Sequence, residues 1–100
     1  MLTERDIIKK LEANKAKLRA FGVRKISLIG SYAQGKADSE SDIDFLVSFQ
    51  KGRGLFDDFV HLHQFLRDFF GKDIDIGEES LIREELRENL LGGKRFEAKI

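Results

Sequence analysis

The sequence predicts an α/β (α+β) domain with the element order α-β-α-β-α-β-α. Three observations support this prediction. Segments with apolar residues at helical spacing alternate with short runs of β-branched and other apolar residues, and glycines separate the two kinds of segment. The sequence contains no proline that would break a helix. Its 100 residues fit a single domain that covers residues 1–100.

The first predicted helix covers residues 3–20. Thr3 is a suitable N-cap, and Asp6 adds an acidic side chain to the first turn. Phe21-Gly22 ends the helix, because glycine readily adopts the left-handed conformation found at helix C-termini. The apolar residues at near-helical spacing are Ile7, Ile8, Leu11 and Leu18.

The first two predicted strands cover residues 26–29 and 42–49. The first is a short, apolar and β-branched run that ends at Gly30. Residues 31–41 are small and polar, and we expect a turn of helix and a loop there. Alternation along the second strand places Asp42, Asp44 and Leu46 on one face and Ile43, Phe45 and Val47 on the other.

The middle helix is predicted over residues 55–70 and ends at Gly71. Its phenylalanines spread over more than one narrow face of the helix, so two interpretations stay open. All of them can belong to the core against the sheet, or some can be exposed on a surface for a partner. These phenylalanines are Phe56, Phe59, Phe65, Phe69 and Phe70.

A third strand and a last helix complete the predicted order. The strand covers residues 73–76, in which aspartates and isoleucines alternate. The helix begins at Glu78 or Ser80 and continues to about Leu91, where Gly92-Gly93 ends it.

The composition narrows the class of protein. Eighteen basic and eighteen acidic residues give a formal net charge of zero, which argues against a general nucleic-acid-binding protein. The absence of cysteine excludes a disulfide framework and a thiolate zinc site. The sequence has no apolar segment of signal-peptide or membrane-span length, so we expect a cytoplasmic protein that does not bind membranes.

Gly30-Ser31 is a candidate phosphate-binding pair. It lies where the first strand ends and a helix is expected to begin, and the unpaired N–H groups of a helix N-terminus bind anions. Glycine lets a phosphate approach the backbone closely, and the serine hydroxyl adds a donor. Gly35 would let the chain turn back, and Lys36 could offer a positive charge. The pair alone also suits an ordinary turn after a strand.

Asp42 and Asp44 are candidate metal ligands. Two residues apart on a strand, they project to the same face, roughly 6.5–7 Å apart along the chain. Carboxylate oxygens select hard cations such as Mg²⁺ or Mn²⁺. Asp73 and Asp75 repeat the pattern on the third strand. We favour Asp75 as a third carboxylate, because Ile74 and Ile76 flank it and place it deeper in the strand, although Asp73, nearer the start of the strand, stays an alternative.

The residues Leu28-Ile29-Gly30-Ser31-Tyr32-Ala33-Gln34-Gly35 and Ser41-Asp42-Ile43-Asp44-Phe45-Leu46-Val47 resemble a known signature. In the DNA polymerase β-like nucleotidyltransferase superfamily, glycine-serine is followed after ten residues by Asp-x-Asp. Within it, the chain most resembles the minimal nucleotidyltransferases, small single-domain proteins commonly encoded beside a HEPN-domain partner. The likeness extends through residues 54–57 and 73–76 to Ile82-Arg83 in the last predicted helix.

The resemblance implies the nucleotidyltransferase fold, a small mixed sheet of about three strands flanked by helices. It implies that Gly30 and Ser31 hold the triphosphate of ATP. Gln34 and Lys36 lie on the same connection and are expected to contact the nucleotide. The family often has arginine or lysine where this chain has Gln34, which keeps a hydrogen-bond donor without the charge.

The resemblance also implies that Asp42, Asp44 and Asp75 are the catalytic, metal-binding carboxylates, with Asp75 as the general base. The expected reaction is transfer of AMP from MgATP to a hydroxyl, and the expected acceptor is a tyrosine of a HEPN toxin that this antitoxin would neutralise. Two alternatives stay open. The chain can be a non-catalytic nucleotide-binding subunit that neutralises its partner by contact, or a transferase that acts on a small molecule.

Overall fold

The computed structural model describes residues 2–81 and 94–100. Its elements are α1 (Glu4–Ala13), α2 (Lys15–Ala20), β1 (Val23–Ile29), α3 (Gly30–Gln34), β2 (Ile43–Phe49), α4 (Phe56–Phe70), β3 (Ile74–Glu78), a 3₁₀ turn (Glu79–Leu81) and β4 (Phe96–Ala98). The sheet order is β3-β2-β1-β4. β1 is antiparallel to β2 and to β4, whereas β2 and β3 are parallel. The predicted α/β class and mixed sheet are therefore confirmed, with four strands in place of about three.

The first predicted helix is interrupted at Asn14. The side-chain amide of Asn14 donates to the carbonyl of Lys10 at 2.9 Å. The backbone N–H of Asn14 donates to the carbonyl of Leu11 at 3.0 Å. An asparagine side chain that binds nearby carbonyls competes with the helical backbone, so one helix ends here and α2 begins. At the other end the predicted cap is confirmed, because Thr3 Oγ1 accepts from the N–H of Asp6 at 3.2 Å.

The expected helix start at Glu78 is corrected, whereas the start at Ser80 is not tested by the described residues. β3 continues to Glu78, so this residue does not start a helix, and Ser80 lies in the 3₁₀ turn. The rest of the predicted last helix, as far as Leu91, lies outside the described residues. β4 was not predicted, because three residues with a central glutamate give too short an apolar pattern.

The core lies on one face of the sheet. The predicted alternation along β2 is confirmed, since Ile43, Phe45 and Val47 are fully buried against helices, while Asp44 is only half-buried on the other face. Leu46 shares the face of Asp44 but is also buried, next to Gly77 of β3. The helical side of the core is built from Ile7, Leu11, Leu18, Tyr32, Ala33, Leu62 and Leu66.

The aromatic residues of α4 divide between core and surface. Phe65 and Phe70 are partly buried against the core, and Phe65 stacks on Phe69 with ring centroids 5.6 Å apart. Phe56 at the start of the helix is 80% exposed. The phenylalanines therefore do not all belong to the core. No helix among residues 2–81 and 94–100 has the length and apolar character needed to cross a membrane.

Candidate active site

The sheet topology brings the predicted site residues to one end of the molecule. Because β1 runs antiparallel to β2 and β2 runs parallel to β3, the end of β1 meets the beginnings of the other two strands. Asp44 is the central residue of this junction. Its Cα pairs with Ile29, the last residue of β1, on one side and with Asp75 on the other. The turn that starts at Gly30 thus lies directly beside two acidic strands.

Gly30 is in contact with the carboxylate of Asp44. Gly30 has a φ of +75°, which side-chain-bearing residues rarely adopt. A Cβ built at this position would lie 3.0 Å from Asp44 Cγ and would collide with Asp44 Oδ2. The missing side chain therefore lets a carboxylate and the turn backbone share one small space. A phosphate that approaches this backbone would meet the carboxylate at the same point.

The helix α3 anchors the turn and then ends quickly. Tyr32 and Ala33 are buried in the core, whereas Ser31 is half-buried on the way to the surface. The chain turns back at Gly35, which has a left-handed φ of 72°, and the Lys36 N–H donates to the carbonyl of Ser31 at 2.9 Å. Five residues align few peptide dipoles, so close approach to the backbone matters more here than the helix dipole.

Gln34 and Lys36 lie at the end of α3 and just after it. Both are exposed, and neither side chain forms a hydrogen bond or ion pair within the described part of the chain. The fold thus carries both residues on the connection that also holds Gly30 and Ser31. It does not bring their side chains into contact with the carboxylates.

The electrostatics of the site centre on Asp44. Burial raises the pKa of the Asp44 carboxyl, and the negative charges of Asp75 and Asp42 raise that pKa further. Three carboxylates therefore repel one another at this end of the sheet when all are ionised. A cation bound among them would relieve the repulsion, and this is the physical reason for expecting a metal here.

The two aspartates of the third strand occupy different positions. Asp75 lies within β3, directly opposite Asp44, and its side chain is exposed. Asp73 precedes the strand, and its carboxylate is 76% exposed and lies 3.9 Å from Arg67. The carbonyl of Asp73 accepts from the N–H of Ile43 at 3.1 Å, which places the backbone but not the side chain near β2. The geometry therefore favours Asp75 over Asp73 as the third carboxylate.

The donor atoms fit Mg²⁺ or Mn²⁺ in chemical type. Carboxylate oxygens are hard ligands, and Mg²⁺ in nucleotide sites is usually held by one or two carboxylates together with phosphate oxygens. Within residues 2–81 and 94–100, no three histidine, cysteine or acidic side chains are arranged so that they alone could hold a metal ion. The structure thus suits a site that carboxylates and substrate phosphates complete together.

An open cavity of about 570 Å³ is lined by Asp42, although not by Asp44 or Asp75. Its lining also includes Asp73, two residues at the C-terminal end of α4, Arg67 and Asp68, and Lys72, which follows the helix. Lys72 also donates to the carbonyl of Ser39 at 2.9 Å, which ties the loop before β2 to the end of α4. The sequence did not indicate these α4 residues, because they belong to no motif and meet Asp42 only in the folded chain.

The family model of the nucleotidyltransferase domain matches residues 5–97 of the chain. The chain therefore belongs to the nucleotidyltransferase family, and the class of enzyme predicted from Gly30-Ser31 and Asp42-Ile43-Asp44 is confirmed.

The relatives of the chain are minimal members of this family. Protein adenylyltransferase MntA of Thermococcus cleftensis is 36% identical over 92 residues, which cover 91% of this chain and 92% of that protein. A solved chain assigned as a minimal nucleotidyltransferase superposes with a TM-score of 0.76 and 30% identity, over 93% of this chain and 94% of that one. A toxin–antitoxin complex crystallised with AMP-PNP contains a chain with a TM-score of 0.66 and 26% identity, over 96% of this chain and 72% of that one. The resemblance found in the sequence is thereby confirmed.

Proposed function

We propose that this nucleotidyltransferase is an antitoxin that transfers AMP from MgATP to a tyrosine hydroxyl of a HEPN-type toxin partner. The single observation that carries the proposal is the contact of the Gly30 backbone with Asp44 at the point where Asp75 and Asp42 crowd the same carboxylate. At this point a turn whose backbone a phosphate can approach lies beside an acidic cluster that a bound cation would stabilise. The similarity to an adenylyltransferase and to a toxin–antitoxin chain crystallised with an ATP analogue supports the donor and the kind of partner.

The proposed nucleotide-binding residues lie on the connection between β1 and β2. The backbone of Gly30 and the hydroxyl of Ser31 contact the triphosphate, since glycine permits close approach and the hydroxyl donates a hydrogen bond. Gln34 and Lys36 flank the phosphates from the outer side of the connection. Lys36 supplies the positive charge that Gln34 lacks.

The proposed metal ligands are Asp42, Asp44 and Asp75. When bound, Mg²⁺ or Mn²⁺ would neutralise phosphate charge and stabilise the charge that develops during transfer. The role of the chain is to hold these carboxylates close to one another and to the phosphates. The strand pairing of Asp44 with Asp75 provides that proximity.

Asp75 has a second proposed role as the general base. As the acceptor hydroxyl oxygen bonds to the α-phosphorus of ATP, its proton passes to the Asp75 carboxylate. The bond between the α-phosphorus and the bridging oxygen breaks, and pyrophosphate leaves with that oxygen. The exposure of Asp75 suits this role, because the acceptor must reach it from outside.

The cavity beside Asp42 and Asp73 provides a path for the acceptor. It opens to solvent at the end of the sheet that carries the carboxylates, so a side chain of another protein can enter it. Four acidic residues and two basic residues line it, which favours an acceptor segment with positive charge. These acidic residues are Glu40, Asp42, Asp68 and Asp73.

The test is to incubate the protein with its partner, Mg²⁺ and ATP labelled at the α-phosphate. We expect label on the partner with the wild-type protein and none with the Asp42→Asn/Asp44→Asn variant. Asp57→Asn is the matched control, because it removes an exposed carboxylate of α4 that lies outside the cavity and the acidic cluster, and it should keep most of the activity. Equal labelling by the wild-type protein and the double variant would exclude the proposed site.

Neutralisation by contact alone is a second candidate function, favoured by the uncharged Gln34 at the exposed end of α3. The same double variant separates the two functions in cells that express the toxin. Loss of protection together with loss of labelling supports the enzyme, whereas full protection without labelling supports contact alone.

A further inference from the structure

A polar network crosses the face of the sheet that carries Asp44. Residues two apart on a strand share a face, so Ser48 lies on the same face as Asp44. Ser27 of β1 pairs with Leu46 and faces the same way. Ser27 is fully buried, and among residues 2–81 and 94–100 the other buried side chains are hydrophobic. A buried hydroxyl needs a hydrogen-bond partner, and this need points to the residue that covers it.

Arg95 is that residue, and it connects β1 to the turn that follows β3. Its Nε donates to Ser27 Oγ at 3.1 Å, and its Nη1 lies 2.7 Å from Glu79 Oε1. The other carboxylate oxygen of Glu79 accepts from Ser48 Oγ at 3.0 Å. The side chains of Arg95 and Glu79 are 26% and 20% exposed, so solvent screens their charges only in part. Arg95, followed by the bond from Ser48 and by the positive charge of Lys25, lowers the pKa of the Glu79 carboxyl.

This network fastens the strand that carries Asp75. Glu79 directly follows β3, and β3 pairs only with β2 within the described part of the sheet. Gly77 in β3 has no side chain with which to pack. The ladder between β2 and β3 carries Asp44 and Asp75 at one end, and the Arg95–Glu79–Ser48 contacts close its other end. The two ends are about 13 Å apart, as expected for four residues of strand.

We propose that Arg95 is a positioning residue for nucleotidyl transfer, because its bridge from Ser27 to Glu79 holds β3 in the register that places Asp75 opposite Asp44. Arg95 does not touch the reacting atoms, so it acts through the strand and not as a catalytic residue. The inference rests on the proposed function of Asp44 and Asp75. The planar guanidinium suits this bridge, because its fixed fork of donors can bind a hydroxyl and a carboxylate at once, which a lysine ammonium does less well.

The test compares Arg95→Gln with Arg24→Gln. Arg24 is an exposed arginine of β1 whose side chain has no hydrogen bond or ion pair with residues 2–81 or 94–100. Three measurements are made: Mn²⁺ affinity by electron paramagnetic resonance in the presence of a saturating non-hydrolysable ATP analogue, steady-state transfer at saturating metal, and amide hydrogen exchange of residues 74–78. Arg95→Gln should weaken Mn²⁺ binding and lower kcat, each by roughly 2- to 30-fold. It should leave the KM for ATP unchanged and speed exchange in β3 more than in β1, while Arg24→Gln changes none of these.

Two further variants keep the test decisive if Arg95→Gln does not fold. Arg95→Lys retains the charge opposite Glu79 and should show a smaller loss, and Ser48→Ala removes one bond of the network and should move the same measurements in the same direction. Arg95 variants that match Arg24→Gln in Mn²⁺ affinity, kcat and exchange would overturn the inference, as would exchange that rises equally in all strands. Failure of the wild-type protein to bind Mn²⁺ would instead overturn the proposed function and this inference with it.

Discussion

At the scale of single residues, the charge of Asp44 is unfavourable for stability but suited to binding a cation. Burial and two neighbouring carboxylates disfavour its charge, and the backbone of Gly30 lies directly against it. A protein that served only its own stability would gain from a neutral residue at this position. A carboxylate at this position is useful when a cation binds during function, because the attraction of the cation then outweighs the repulsion among the three carboxylates.

Asp44→Asn should therefore stabilise the metal-free protein at neutral pH and lower transfer at least about 100-fold, since metal stabilisation of transferring phosphates is worth several kcal/mol. The pKa of Asp44 is raised above 3.8 in the folded state, so the wild-type protein loses stability as the pH rises from about 3.8 through that raised pKa. The gain of Asp44→Asn in free energy of unfolding over the wild-type protein should be absent below pH 3.8 and constant above the raised pKa. Thermal unfolding in a chelating buffer at several pH values measures it. A wild-type protein that is more stable than Asp44→Asn at neutral pH would contradict the explanation.

Gly30→Ala should lower the free energy of unfolding more than Gly35→Ala does, although the two glycines have nearly the same positive φ, 75° and 72°. An alanine at either position adopts an unfavourable left-handed conformation, which costs about 1–2 kcal/mol. Only at position 30 would the new Cβ also collide with Asp44, whereas nothing lies within 4 Å at position 35. Urea unfolding gives the two free energies of unfolding, and transfer assays should show a loss for Gly30→Ala alone. Equal effects would show that the contact with Asp44 does not matter.

The sequence predicted that the Gly30 turn and the acidic strands lie close together, but it predicted neither their contacts nor the cavity residues Arg67, Asp68 and Lys72. The spacing of Gly30-Ser31 and Asp42-x-Asp44 and the parity of the strands were sufficient to place acids beside the turn. The pairing of Asp44 with Asp75 and the approach of Gly30 to a carboxylate depend on strand register. A local pattern does not contain register, because register is set by contacts between distant segments.

At the scale of elements, apolar periodicity and the positions of glycines predicted the first three strands and α4. The elements that differ from the prediction depend on hydrogen bonds that the apolar pattern does not contain. Asn14 divides the first helix through its side-chain bond to a carbonyl, a choice that helical periodicity does not reveal. β4 has only three residues and is stabilised by antiparallel pairing with β1. The start of α4 is fixed by an ion pair that also lies outside the apolar pattern.

That ion pair should make the start of α4 sensitive to acid. Arg53 and the N–H of Gly54 donate to the Asp58 carboxylate and lower its pKa from 3.8 to about 2. Asp58→Asn should therefore be less stable than the wild-type protein above about pH 4, and the difference should vanish as the pH falls through about 2. Asp57→Asn, in the same helical turn, is the control. Chemical unfolding from pH 7 down to about 2 measures the difference, and a constant deficit across this range would rule out the charged pair as its cause.

At the scale of the whole molecule, a four-stranded sheet covered by helices on one face leaves the ends of three strands to form a site. The phosphate turn, the acidic strands and the open cavity all meet at that end. The core therefore holds the site without contributing a side chain to the chemistry. This division explains how a small sheet can position several charged groups at one end.

The central claim is that this site transfers a nucleotidyl group and not a phosphoryl group. The most direct measurement compares ATP labelled at the α-phosphate with ATP labelled at the γ-phosphate, each incubated with the protein, its partner and Mg²⁺. We expect label on the partner from the α-phosphate only, release of the γ-label as pyrophosphate, and neither signal from Asp42→Asn/Asp44→Asn. Transfer of the γ-label to the partner, or transfer of the α-label that persists in the double variant, would contradict the central claim.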